Sequence, residues 1–259
     1  MMDPLTALRI GPGLVLLTGP AGSGKNTAAM AMFKGIDLST MSAATIEVSP
    51  RRAPDGVQQT RVADLSQQLP MLQRLMDLDT DLIYVRALCE GALTQCVLES
   101  AISRRLISTL QASNSADALS WLAEEGESPW LVLEAVRVVQ AQRWVRRLCP
   151  SCKSATTTPG SVLGQPGPVV VFEPGGCPRC KETGYRGRRL VTERFAIDHS
   201  PLGIAIRRDV LAGLRGPALH AAARHAGLVT LRQAALSLVL AGETSVAEAL
   251  QSTPADELL

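Results

Sequence analysis

Residues Gly19 to Asn26, reading GPAGSGKN, have the types and spacing of a loop that grips phosphate. Gly19, Gly22 and Gly24 let backbone N–H groups converge on phosphate oxygens, with Pro20, Ala21 and Ser23 filling the turn and Lys25 reaching the outer phosphates. Such a loop ends in Ser or Thr, whose hydroxyl ligates Mg²⁺; here the position is Asn26, followed by Thr27. Mg²⁺ demands near-ideal octahedral oxygen geometry, so a longer carboxamide at that point puts the metal in question. The alternative to a phosphate cradle is a ligand-free glycine turn.

A second set of chemistry-bearing residues is Cys149-x-x-Cys152 and Cys177-x-x-Cys180, four of the chain's six cysteines. Four thiolates in two such pairs suit tetrahedral Zn²⁺ in a closed structural site, against the alternatives of redox thiols or buried free cysteines. Cys89 and Cys96 stand apart and read as small buried hydrophobes.

The elements that must position these residues are legible around them. Leu14 to Leu17 is an apolar run of strand type, and Thr27 to Phe33 is rich in helix formers, so the glycines sit between strand and helix. Further strands are expected at 42–48, 81–85, 106–110 and 190–196, with helices at 65–76, interrupted by Pro70, and 92–103. Alternation of this kind predicts a largely parallel sheet with helices on its faces and ligands at the carboxyl ends of the strands. Residues 129–145 read as one long amphipathic helix. The 24 residues between the cysteine pairs, rich in Thr, Gly and Pro, read as a loop closed by a metal. Near the end, Thr230-x-x-Gln233 and Ser245-x-x-Glu248 fit capping boxes, and Gly227 and Gly242 mark helix stops.

Composition narrows the function classes. At 259 residues and 46% hydrophobic content the chain can bury a core, and a net charge of +2 with 3% aromatics disfavours nucleic-acid binding by bulk charge or base stacking. Arginines cluster only locally, at 143–147 and 186–189. No charged-then-apolar leader and no apolar run of about eighteen residues occurs. A soluble, cytosolic protein is expected.

Taken together, the chain resembles the C-terminal motor domain of the hexameric ATPases that drive type II secretion and type IV pilus assembly. The resemblance runs from about Gly13 to Leu250 and rests on order and spacing: 13–25, Thr45-Ile46-Glu47, the strand 79–85, Asn114-Ser115-Ala116, 141–152, 183–188, Thr230-Leu231-Arg232 and Leu240-Ala241-Gly242. It implies an α/β fold of P-loop (RecA-like) type: a parallel sheet with a tetracysteine zinc loop and a small helical C-terminal domain. The expected division is 1–145, 146–190 and 191–259. It also implies ATP as ligand at Gly19 to Thr27, Zn²⁺ at the four cysteines, a homo- or hetero-hexamer with a paralogous ATPase, and a cytoplasmic place at the inner-membrane platform, reached indirectly. The tetracysteine element points to the secretion and pilus-extension branch, since the retraction motors lack it.

Departures from the family pattern fall on the catalytic groups. After the strand at 81–85 the family places Gly-Glu, the Glu polarising the attacking water; this chain has Arg86-Ala87. Acids expected after Glu47 are replaced in Val48-Ser49-Pro50-Arg51, Gln111-Ala112 stands where a histidine belongs, and Pro70 and Gln73 stand near the places of phosphate-reaching arginines. Eighteen residues precede Gly19, so the docking and nucleotide-capping domains of these motors are not expected in this chain. Glu47 is the surviving candidate catalytic acid, with Asp81 and Glu90 as displaced substitutes. The expectation is an ATP-binding, hydrolysis-impaired subunit with an accessory or regulatory role. The alternatives are an active ATPase with rearranged groups and a zinc-ribbon module for nucleic acid or another partner, with arginines such as Arg143 and Arg186 serving either as surface charge or at a subunit interface.

Overall fold

The computed structural model describes residues 2–50, 53–89, 91–126 and 128–256; Arg51 and Glu90 lie outside the described residues. Two compact units form, one from 1–141 with 194–228, the other from 142–193 with 229–259.

The first unit is built on β1 (Gly13–Thr18), the phosphate-loop strand. Leu14, Val15, Leu16 and Leu17 are all completely buried, because β1 lies inside the sheet and is covered on both faces. Around it stand β2 (Ala43–Glu47), β3 (Val57–Arg61), β4 (Leu82–Val85), β5 (Arg105–Leu110), β6 (Val136–Leu148) and β9 (Tyr185–Ala196), in the order β3-β2-β4-β5-β1-β6-β9. Registers from β3 through to β6 are parallel, with Gly13 and Leu82 both level with Arg105. The strands therefore finish at a common edge, and the loops leaving β1, β2, β4 and β5 share it.

The period-2 geometry of a strand sends alternate side chains to opposite faces. Val15 and Leu17 meet Ala29, Met32 and Phe33 of α2 (Lys25–Lys34) with Tyr84 and Ile107, and Ala7 and Leu8 of α1 (Pro4–Ile10) join them. Leu14 and Leu16 face α3 (Gln68–Asp77), α4 (Ala92–Ala101), α5 (Ser115–Glu125) and α6 (Pro129–Ala135). Cys89 and Cys96 pack against this second cluster but are only partly buried, short of the full burial expected of them. Pro70 falls in the first turn of α3, where its missing N–H costs no hydrogen bond, so the helix is neither ended nor kinked there.

Two expectations need correction. The stretch read as one helix over 129–145 is a helix only to Ala135; from Val136 the chain runs as β6, paired with β1. The valines at 136, 138 and 139 are β-branched and stiff, and all are fully buried in the sheet. The three-part division also differs from the two units observed. Helices α7 (Pro201–Leu211) and α8 (Gly216–His225) belong to the first unit, where Leu202, Ile206, Val210 and Leu219 join the larger core cluster.

The second unit contains the four paired cysteines, β7 (Ser154–Pro159), β8 (Pro168–Glu173), α9 (Leu231–Leu240) and α10 (Val246–Ser252). The segment between the cysteine pairs is not only loop: Thr156, Thr157 and Thr158 pair antiparallel with Val171, Val170 and Val169. Facing runs of β-branched residues suit a ladder. The Thr230–Gln233 capping box forms in full on α9. At α10, Ser245 caps the Glu248 N–H, but the Glu248 carboxylate turns away to Arg146, accepting from its backbone N at 2.8 Å, its Nε at 2.7 Å and its Nη2 at 2.6 Å. Arg146 also lies 4.0 Å from the centre of the Tyr185 ring. Among the described residues, no helix is long and apolar enough to cross a membrane.

Glu248 gives this unit a pH signature. Burial raises its pKa, and the Arg146 contacts outweigh that and hold it below the ordinary 4.5. A carboxylate depressed on folding adds stability that is complete above its unfolded value and fades as pH falls through the folded one. In denaturant unfolding, Glu248→Gln is expected to lose about 1–3 kcal/mol at pH 7. The gap to the parent should close as pH drops below 4.5. A gap that stays constant with pH would contradict this role.

Candidate functional site

At the common strand edge of the first unit, the chain leaves β1 through Gly19, Gly22 and Gly24, with φ of 142°, 77° and 94°. The last two fall where a β-carbon is strained, which is why glycine is required at these turns. Gly24 is the N-cap of α2 and no side chain caps that helix, so its first backbone N–H groups face the loop. Lys25 folds back over the turn and donates from Nζ to the carbonyls of Gly19 at 2.5 Å and Pro20 at 2.9 Å. An uncapped helix start, glycine turns and an ammonium at their mouth are the parts from which a phosphate site is made. Ser23 is buried in the turn, and Thr27 is exposed one residue into the helix beyond Asn26.

Asn26 does not point into open space. In the amide orientation that gives both carboxamide atoms a partner, its nitrogen donates to Tyr84 Oη at 2.9 Å. Its oxygen then accepts from Arg86 Nε at 3.0 Å and Nη2 at 3.3 Å. Tyr84 is fully buried on β4, and burial, reinforced by the nearby Glu47 charge, pushes its phenol well above the ordinary range, so it stays protonated. Arg86 also donates from Nη1 to Ser49 O at 2.7 Å, and that nitrogen lies 3.8 Å from the Glu47 carboxylate. The Arg86 main chain is pinned on both sides, its N–H to Ile46 O at 3.2 Å and its carbonyl to Gln68 Nε2 at 2.5 Å.

The structure thus brings together Asn26, Glu47 and Arg86, three residues singled out from sequence, and adds Tyr84 and Gln68, which were not. The one sequence signal for Tyr84 is a phenol within an otherwise aliphatic strand, Leu82-Ile83-Tyr84-Val85. Ala87 follows in a left-handed conformation, φ 63°, with its N–H on Thr109 Oγ1 at 2.9 Å and no functional group to offer. Glu47 is 1% exposed at the end of β2. Asp81 is excluded as a substitute: it precedes β4 at the opposite sheet edge, level with the start of β1, where it accepts from the N–H and hydroxyl of Ser42 at 2.9 Å each.

The donor set around Asn26 does not suit Mg²⁺. The carboxamide oxygen that would replace a serine hydroxyl as ligand is held by a guanidinium, and the other cationic nitrogens of that group occupy the same corner. A hard divalent cation prefers oxygen ligands and is repelled by a fixed positive charge.

In the second unit, the sulfurs of Cys149, Cys152, Cys177 and Cys180 all lie within 4.8 Å of one another. The separations Cys149–Cys177, Cys152–Cys180 and Cys177–Cys180 are 3.9, 3.8 and 3.7 Å. Disulfide sulfurs would be near 2.05 Å apart. A tetrahedron with metal–sulfur bonds of about 2.3 Å has edges of about 3.8 Å, so the group fits one tetrahedral metal. Backbone turns set the spacing within each pair, Cys152 N–H to Cys149 O at 3.3 Å and Cys180 N–H to Cys177 O at 3.1 Å. Desolvation pushes the Cys180 thiol up, but hydrogen bonds at its sulfur, including the Gly184 N–H at 3.2 Å, prevail and bring it down to about 6. Of the flanking arginines, Arg186 is exposed, while Arg143 is half-buried beside Glu193 and desolvation lowers its pKa.

Comparison with known proteins gives the family and the fold. A family model described as type II/IV secretion system protein matches residues 3–251. The type II secretion system protein E of Dickeya dadantii is 31% identical over 258 residues, covering 93% of this chain and 48% of the relative. The type IV pilus assembly ATPase PilB of Thermus thermophilus is also 31% identical, covering 93% of this chain and 28% of its own length. The chain thus spans half or less of these relatives. Among solved structures, the pilus retraction motor PilT with bound ADP superposes with a TM-score of 0.68 at 18% identity, over 98% of this chain and 65% of that one. The Legionella pneumophila ATPase DotB gives the same TM-score and identity over 94% and 60%. At that identity these two establish the shared fold. With the family model covering nearly its whole length, the chain belongs to the type II/IV secretion system protein family of secretion and pilus ATPases.

Proposed function

We propose that this chain binds ATP without turning it over at a motor rate, and that it serves as an accessory or regulatory subunit of a secretion or pilus machine. The observation that carries this reading is the Asn26–Arg86–Glu47 cluster beside an intact glycine loop. Gly19 to Thr27 would hold the triphosphate through backbone N–H groups, with Lys25 leaving the Gly19 and Pro20 carbonyls to meet it. ATP supplies the transferable phosphoryl group, but this chain has little with which to transfer it. Hydrolysis asks for charge neutralisation by a metal and a group that orients water. Asn26 is committed to Tyr84 and Arg86, and Ala87 carries no acid. Glu47, the remaining carboxylate of the site, faces Arg86, which lowers its value as a base. Loss of one charge-stabilising group typically costs about a hundredfold to a thousandfold in rate.

In partnership, the reading follows the relatives. A hetero-hexamer with a paralogous ATPase, cytoplasmic and touching the inner-membrane platform through that partner, would give a non-hydrolysing subunit a task; a homo-hexamer is the alternative assembly. For the cysteine group we infer structural Zn²⁺, holding together a unit whose strands β7 and β8 are short. Each thiolate contributes one ligand and no position is left for a reacting water, so the role is to stabilise.

Two outcomes test these readings. A fluorescent ATP analogue should bind, and Lys25→Ala should weaken it at least tenfold. Phosphate release by the parent should be indistinguishable from that of Lys25→Ala. Turnover of about 1 s⁻¹ or more that Lys25→Ala abolishes would establish the active-ATPase alternative. Metal analysis of protein purified without chelator should give one zinc per chain, and Cys177→Ser should lose the metal and the protease resistance of residues 142–193. Full thiol reactivity of all four cysteines in the native protein would overturn the zinc assignment.

A further inference from the structure

Arg86 sits at the point of the site where the family pattern calls for glycine, and its surroundings read as a seat built for a cation. Its guanidinium donates to Asn26 Oδ1 through Nε and Nη2, to Ser49 O through Nη1, and faces the Glu47 carboxylate at 3.8 Å. Carboxamide oxygen, peptide carbonyl and carboxylate are the ligand types that oxygen-seeking divalent cations use. Here a single guanidinium takes all three. The seat is braced: Gln68, fully buried, holds the Arg86 carbonyl, Ile46 O takes its N–H, and Tyr84 Oη fixes the far side of Asn26. The group is not sealed in, since the Arg86 side chain is 34% exposed. A guanidinium with exposed N–H groups recognises phosphate oxygens well.

We propose that Arg86 is the resident cation of the nucleotide site, so that the pocket takes a metal-free nucleoside triphosphate and rejects its Mg²⁺ complex. This deepens the nucleotide-binding reading above and rests on it. A fixed monovalent charge at the end of β4 takes the neutralising role of a metal for binding, and Mg²⁺ arriving with the nucleotide would meet Arg86 and an Asn26 oxygen already engaged. The site then responds to the pool of free rather than magnesium-bound nucleotide.

The experiment is a titration of the intact chain with a fluorescent ATP analogue in excess EDTA and again in millimolar Mg²⁺. The parent should bind at least tenfold more tightly in EDTA. Arg86→Gly paired with Asn26→Ser, which restores the residue types of the family pattern, should reverse that preference, and the metal-dependence of the parent alone serves should that variant fail to fold. Parent binding that is equal in the two conditions, or tighter with Mg²⁺, while remaining sensitive to Lys25→Ala would overturn the Arg86 assignment and leave the loop reading standing. Absence of binding in both conditions, or binding indifferent to Lys25→Ala, would overturn the loop reading and the Arg86 assignment with it.

Discussion

The first unit depends on one constraint, the complete burial of β1 on both faces with parallel partners on each side. A strand so placed has no solvent side, which explains the unbroken Leu14-Val15-Leu16-Leu17 run. Parallel pairing then forces the strands to end together, so that Gly19, Glu47 and Arg86, far apart in the chain, emerge at one edge. A polar site is thereby assembled on an apolar foundation. The helices add the second constraint: Ala29, Met32 and Phe33 hold α2 against the face that carries Tyr84, which brings Asn26 within reach of the phenol.

Cation chemistry differs between the two units. In the second unit, sulfur ligands converge at tetrahedral edge lengths, and soft thiolates suit a transition metal. In the first unit, oxygen ligands converge as well, but on an arginine supplied by the chain itself. The contrast shows that a cluster of ligand atoms need not mean a metal. What decides is whether a side chain already meets them.

Much of this was legible from residue order. The glycine loop, the strands bearing Glu47 and Tyr84, the paired cysteines and the Thr230 capping box each depend on local pattern, and local pattern is what a sequence displays. Residues 136–145 read as helix because their apolar positions fit a helical period about as well as a buried strand; only pairing with β1 separates the two. Likewise, Ser245-x-x-Glu248 has the letters of a full capping box, yet Arg146, about a hundred residues earlier, draws the glutamate away. The Asn26–Arg86 contact was invisible for the same reason. Each residue stood out alone as a departure, and their meeting is a product of sheet register.

The folded-back posture of Lys25 has a consequence for how a ligand would be admitted. Its ammonium is already neutralised in part by two carbonyl oxygens of the turn it guards. An incoming anion therefore exchanges one set of contacts for another, and the grip it feels is the difference between them. A densely charged polyanion offers the ammonium more than two neutral carbonyl oxygens do, so it gains most from the exchange.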